Sequence, residues 1–227
     1  MSRAATHLGR RVTAEAVGTA FLVMAVVGSG VAAQRLSPSD RGLQLLENSL
    51  VTGAALVALI LALQPVSASF NPVVTAVERL LGVISSREAA LSVVAQVAGG
   101  VAGCVLANLM FDLDPVSVSS HHRVTWGTLL AEVVATAGLV VIIFGSVRAG
   151  RIETVAYAVG GYITAAYWFT SSTSFANPAV TIARTLSDTF AGIAPASAPA
   201  FIAMQLVGGA VGLGVVGLLH PTRGATS

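Results

Sequence analysis

The sequence predicts an all-α membrane protein with six transmembrane helices plus two re-entrant half-helices, arranged as an inverted internal repeat. Three observations predict it. The 227 residues are 55% hydrophobic and only 10% charged, with a mean hydropathy of +0.83, whereas a soluble domain carries about 25% charged residues. Two Asn-Pro boxes, Asn71-Pro72-Val73 and Asn177-Pro178-Ala179, stand at matched places between long apolar segments. Three motifs also recur in the same order in the two halves.

Taken in order, the chain opens on a short basic stretch, 1–11, followed by an apolar run that no clear small-residue cleavage site ends. That run is expected to remain as a first helix and not to be removed as a signal peptide. Crossing the ~30 Å hydrocarbon core takes roughly 20 apolar residues. Such segments fall at about 11–33, 44–65, 88–110, 126–147, 153–171 and 197–219. Two further stretches, about 71–82 and 177–187, are too short to span and each begins with Asn-Pro. Proline lacks an N–H and has φ preset near −65°, which suits the first turn of a helix with asparagine before it as the cap. Both stretches therefore read as half-helices starting at membrane depth. The loops are short, with Pro38, Pro115 and Pro195 among their breakers. The longest, Phe111–Arg123, joins the halves and carries Asp112, Asp114, His121 and His122. An adjacent histidine pair can bind metal or sense pH, but in a solvated loop it reads as polar surface.

The repeat is visible residue by residue. Ala14-Glu15-x-x-x-Thr19 returns 117 residues later as Ala131-Glu132-x-x-x-Thr136. Gln96-x-x-Gly99-Gly100-x-x-Gly103 returns after 109 residues as Gln205-x-x-Gly208-Gly209-x-x-Gly212, and the Asn-Pro boxes are 106 apart. Residues 1–227 thus form one domain, with a first repeat at about 11–110 and a second at about 125–220. Three spans per half is an odd number, so the second half must be inverted. With the N-terminus inside, the inner side holds Arg3, Arg10, Arg11, Arg79, Arg87, Arg148, Arg151 and Arg223. The outer side holds Arg35, Arg41, Arg123 and Arg184. Eight against four places both termini in the cytoplasm.

Composition also excludes functions. All 12 basic residues are scattered arginines, so the basic balance does not indicate nucleic acid. The single Cys104 lies in an apolar segment, which leaves no disulfide framework and no metal-ligand cluster. No nucleotide loop or nucleophile–base set points to an enzyme, and no cofactor is implied.

Inversion brings the N-termini of both half-helices to the bilayer middle, each carrying about +0.5 charge. Asn71 and Asn177 can aim their amide N–H groups at the same point. A neutral molecule with lone pairs accepts such bonds in transit, while a cation is opposed. The broken backbone before each box must line a wet path, with carbonyls from Ser67, Ala68, Ser69 and Phe70 and from Ser174, Phe175 and Ala176. Alternatively, both asparagines are only caps. Glu15 and Glu132 sit inside spans, where a charge costs ~2.5–3.5 kcal/mol on insertion scales. They are assigned to accepting hydrogen bonds that hold the re-entrant loops. A proton-relay pair, or a Glu15 that simply reaches the inner surface, stands beside that reading. Gln96 and Gln205 read as polar clamps, and the Gly-x-x-x-Gly faces as close helix crossings. Trp126, Tyr162, Tyr167 and Trp168 fit interface-belt or core positions.

Six spans, an inverted duplicate and Asn-Pro-Val plus Asn-Pro-Ala boxes resemble the aquaporin, or major intrinsic protein, family over about residues 11–220. The resemblance implies a right-handed helical bundle with a pore in every protomer, and a homotetramer. Exclusion of protons and cations by half-helix dipoles is already an established property of such pores. This chain departs from the family at three places. Val73 stands where alanine is commoner, Ser69 where histidine is usual, and Val180 where the filter arginine follows the second box. Carrying the other filter positions over by spacing gives Thr52 (or Val51, with a one-residue gap), Ala165 and Ser174. With Val180, these make a wide and nearly neutral mouth. A valine after the second box is similar to the bacterial aquaporins associated with arsenic-resistance operons.

The sequence therefore leads to a passive channel for small uncharged solutes, with neutral metalloids or methylated arsenicals favoured and water and glycerol as co-permeants. Its setting would be a bacterial plasma membrane, with the lipid bilayer and its own copies as partners. A plain water or glycerol facilitator is the first alternative. A proton-coupled transporter using Glu15 and Glu132, and a purely structural junction protein, are rivals of other classes.

Overall fold

The computed structural model describes residues 3–221. Arg223 and the side chain of Arg3, both used in the orientation count, lie outside the described residues. Eight α-helices follow one another: α1 Arg3–Leu36, α2 Arg41–Leu63, α3 Pro72–Leu80, α4 Ser86–Met110, α5 Trp126–Arg148, α6 Val155–Phe169, α7 Pro178–Ala183 and α8 Ala198–Leu219. Short 3₁₀ turns, Ile152–Thr154 and Arg184–Leu186, lead into α6 and close α7.

Local chemistry sets the starts. Asp40 caps α2 by accepting from the Leu43 N–H at 2.9 Å. Ser85 and Glu88 form a reciprocal capping box at α4, and Thr125 with Thr128 does the same at α5. Asn71 and Asn177 cap α3 and α7, each with proline in the first turn. Half-helix starts were expected at both places, and α3 and α7 occupy them.

α1, α2, α4, α5 and α8 have the length and apolarity to cross a membrane. The sixth expected span is shorter than 153–171: α6 holds only 15 residues, roughly 22 Å at 1.5 Å per residue. Its helix stops at Phe169 because the chain must turn back into the bilayer toward the second box. The 3₁₀ turn at one end and extended residues at the other supply the missing length.

The two halves pack alike. α1 lies along α4, and α5 lies along α8. A Cβ at Gly99 or Gly103 would overlap the carbonyls of Ala16 and Ala20, and one at Gly208 or Gly212 those of Val133 and Ala137. These helices therefore touch backbone to backbone, as small-residue faces allow in lipid. Between the halves, α2 crosses α6 where Gly53 and Gly160 each approach the other's carbonyl.

Polar side chains gather inside an otherwise apolar core, and apolar ones also cover the outside. Glu15, Glu132, Gln96, Gln205, Thr75 and Thr181 are fully buried. Phe21, Leu50, Val94, Leu130, Trp126 and Leu218 face outward, as a bilayer requires.

Candidate functional site: a lumen between two half-helices

The residues before each box adopt backbone shapes that ordinary side chains avoid. φ is +48° at Phe70 and +47° at Ala176, the residues directly preceding the two asparagines, with Thr173 and Ser174 also positive. Such conformations persist only where surrounding contacts over-determine them, and the carboxylates of Glu15 and Glu132 supply those contacts. Glu15 accepts from the Ser69 N–H at 2.9 Å, the Phe70 N–H at 2.8 Å, Gln96 Nε2 at 2.7 Å and the Ser67 hydroxyl. Glu132 accepts from the Phe175 N–H at 3.0 Å, the Ala176 N–H at 2.9 Å and Gln205 Nε2 at 2.6 Å. Each glutamine also donates to a threonine one turn into the half-helix, Gln96 to Thr75 at 2.8 Å and Gln205 to Thr181 at 2.9 Å. These threonines went unremarked in the sequence, although Asn-Pro-x-x-Thr occurs in both boxes.

The asparagines do two jobs with one side chain. Asn71 Oδ1 accepts from the Val73 N–H at 2.9 Å, and Asn177 Oδ1 accepts from Ala179 and Val180 at 3.0 and 3.3 Å. On the other side of the amide, Asn71 Nδ2 donates to the Ala176 carbonyl and Asn177 Nδ2 to the Phe70 carbonyl, both at 2.7 Å. Each box thus ties itself to the opposite half's loop, a bond the sequence reading did not foresee. An amide carries two N–H groups, so one on each asparagine remains for the lumen that both line. Pro72, Val73, Pro178 and Ala179 do not line it and build the first turns instead. Val73 fits because Gly209 of α8 stands opposite and leaves room for its Cγ1.

The lumen measures roughly 280 Å³. Its middle is bordered by Ser67, Ala68, Ser69 and Phe70, by Ser174, Phe175 and Ala176, and by both asparagines. Neither Glu15 nor Glu132 reaches it. Towards one end lie Arg11 and Glu78, paired at 2.8 Å. Towards the other lie Thr52, Tyr167, Ser174, Val180 and Arg184. Along the walls between, Leu22, Val26, Leu56, Ile60 and Val159 present apolar faces.

Two expectations about that second mouth are corrected. Ala165 points outward and is exposed, whereas Tyr167 is 3% exposed and lines the lumen. Two residues along a helix turn by about 200°, so the alanine must face away when Tyr167 faces in. Tyr167 Oη lies 3.2 Å from Thr52 Oγ1, and Thr52 also borders the lumen, while Val51 is exposed. Nor is the mouth neutral. Arg184, counted as an outer-surface arginine, is 2% exposed and lines the lumen, its guanidinium 3.5 Å from the centre of the Phe175 ring.

The linker loop is less free than a solvated segment. Ser117 and Ser119 donate backbone N–H groups to Leu186 and Thr185 just beyond α7. His121 stands 3.7 Å from Asp188. Asp188 also accepts from Ser120, whose backbone N–H holds that carboxyl below its ordinary pKa.

A bundle apolar on its outside, with a lumen of polar loops and aliphatic walls between two opposed helix starts, fits a membrane channel for small solutes. Comparison with known proteins identifies the family. Residues 2–153 match the major intrinsic protein model. The chain is 49% identical over 218 residues to aquaglyceroporin AqpS of Rhizobium meliloti (strain 1021), covering 95% of this chain and 93% of that protein. It therefore belongs to the major intrinsic protein family. The X-ray structure of the aquaglyceroporin from Plasmodium falciparum superposes with a TM-score of 0.70 over 95% of this chain and 96% of its own, at 18% identity, a likeness of fold.

Proposed function

We propose that this chain is a facilitated-diffusion channel for small uncharged solutes rich in hydroxyl groups: glycerol, neutral metalloid hydroxides and methylated arsenicals, with water alongside them. The observation that carries the reading is the pair of asparagine amides, each held by a cap on one side and a cross-half bond on the other, with one N–H left towards the lumen. Donors fixed in this way accept a passing oxygen without reorganising. The two helix starts behind them oppose cations. Val180 and the aliphatic wall offer a methyl group a surface that does not have to be desolvated at a cost. The similarity to a protein named an aquaglyceroporin supports polyols among the solutes.

Glu15 and Glu132 act as anchors of the loops and not as proton carriers, because every carboxylate oxygen already accepts a bond and neither residue touches the lumen. The whole chain works as one channel domain in a bacterial plasma membrane, with both termini cytoplasmic and the outer apolar faces packing four copies together. Reconstituted protein tests the proposal. Stopped-flow measurements with glycerol, arsenite, a methylated arsenical and water should give non-saturating flux independent of a pH gradient. Saturating flux that follows a pH gradient, or no flux above empty vesicles, overturns it.

A further inference from the structure

The mouth that lacks an arginine after its second box is not without a guanidinium. Arg184 lies one turn beyond Val180, at the start of the 3₁₀ turn that closes α7. It is 2% exposed, and its guanidinium lies over the Phe175 ring. Its Nε donates to the Ala191 carbonyl. Nη1 and Nη2 donate to nothing in the protein among the described residues, and no carboxylate pairs with this arginine there. A buried guanidinium without an anion is unfavourable unless oxygens satisfy its remaining N–H groups. Arg184 borders the lumen, so those oxygens come from what the lumen holds. A second group points the same way. Ser174 is 3% exposed and lines the same lumen, yet its hydroxyl has no partner. Across from them stands the hydroxyl pair of Thr52 and Tyr167.

We propose that Arg184 and Ser174 form a binding station for the oxygens of a hydroxylated solute, and that Arg184 sets the positive potential that keeps cations from this mouth. The inference rests on the channel reading above. Arg184 would donate from Nη1 and Nη2 to two neighbouring oxygens, and Ser174 would donate to or accept from a third. The face of Phe175 fixes the plane of the guanidinium, so the donors are oriented before the solute arrives. A solute with several hydroxyls on adjacent atoms gains most, and a solute with one oxygen gains least.

The test uses full-length protein in proteoliposomes. Glycerol is the probe solute, water the reference, and potassium leak the measure of cation exclusion. Arg184→Gln should raise potassium leak about tenfold and lower the glycerol-to-water flux ratio, and Arg184→Lys should restore most of the exclusion. A well-assembled Arg184→Gln channel with both quantities unchanged overturns the proposal, as does a lysine variant no better than the glutamine one. Arg184 also ties down the Ala191 loop, so a second measurement leaves it in place. Val180→Cys puts a thiol one turn away in a chain whose single Cys104 is fully buried. Reacted with thiosulfonate reagents of matched size, that thiol should prefer the anionic over the cationic one about tenfold, corrected for their rates with a free thiol. Equal rates, the reverse order or no reaction overturn the proposal. Wild-type protein passing neither glycerol nor water would sink the channel reading instead, leaving the thiol rates to judge the charge.

Discussion

Replacing Glu15 or Glu132 by glutamine should cost a similar amount, and the magnitude can be worked from the bonds. Both carboxylates are fully buried. Glu15 accepts two bonds on each oxygen: the Ser67 hydroxyl and Ser69 N–H on one, the Phe70 N–H and Gln96 on the other. Turned towards Gln96, the new NH2 group would face two donors; turned towards Ser67, it leaves only the Ser69 N–H facing a donor, because the hydroxyl rotates to accept from the amide. At Glu132, Oε1 accepts the Phe175 N–H and the Ser172 hydroxyl lies beside the carboxylate, so the amide nitrogen can sit at Oε1 and leave the bonds from Ala176 and Gln205 intact. An orphaned buried donor costs about 1–3 kcal/mol, and losing a bond to a charged group about 1.5–3 kcal/mol. Each variant thus orphans one backbone N–H and is expected to lose about 2–4 kcal/mol. At about 2–4 °C per kcal/mol for a chain of this size, either variant should melt roughly 4–16 °C below wild type. The assay is thermal loss of the monodisperse species in detergent, with glycerol and water flux measured on the surviving protein. The flux ratio should hold while the melting point falls. Melting of either variant within about 2 °C of wild type refutes the reasoning. Unchanged melting with pH-driven flux altered would restore the proton-carrier role.

Val180→Arg sets a second guanidinium one turn from Arg184, so flux of a methylated arsenical should fall at least tenfold while water falls less; an unchanged ratio in parallel liposome assays would falsify the wall assigned to Val180. Asn177→Ala removes a cap worth about 1–2 kcal/mol and leaves the Phe70 carbonyl unpaired, so melting and glycerol flux should drop together, whereas a loss of one alone contradicts the double role of that amide. Gly99→Val drives a branched side chain into the Ala16 carbonyl and should abolish folded protein on size-exclusion chromatography, while Gly161→Ala, with open space at its Cβ position, should behave as wild type.

What could be read in the sequence was whatever has a periodic or paired signature. The Asn-Pro boxes and the Gly-x-x-x-Gly faces are such signatures, and the helix starts and backbone crossings occur where they predicted. α6 shows where this fails. Its 15 residues are apolar or small nearly throughout, so hydropathy gives no face, and spacing alone chose Ala165 over Tyr167. Arg184 was misplaced for a different reason. A count of arginines by side treats each one beyond a span as surface charge, and nothing local announces that Phe175 and the Ala191 carbonyl will draw this one inward. The bonds from Asn71 to Ala176 and from Asn177 to Phe70 join residues 105 and 107 apart, which no short-range pattern encodes.

Those two bonds decide what counts as a folding unit. Residues 3–110 alone would leave the Asn71 amide short of an acceptor and the Phe70 carbonyl short of a donor, deep in lipid where water cannot substitute. A second copy of the same segment, inserted upside down, would supply both through its own Phe70 and Asn71. The peptide linker between the halves is then dispensable in principle, and opposite insertion is not. Halves produced as separate chains should therefore assemble when they enter the membrane in opposite senses, and remain incomplete when they enter in the same one.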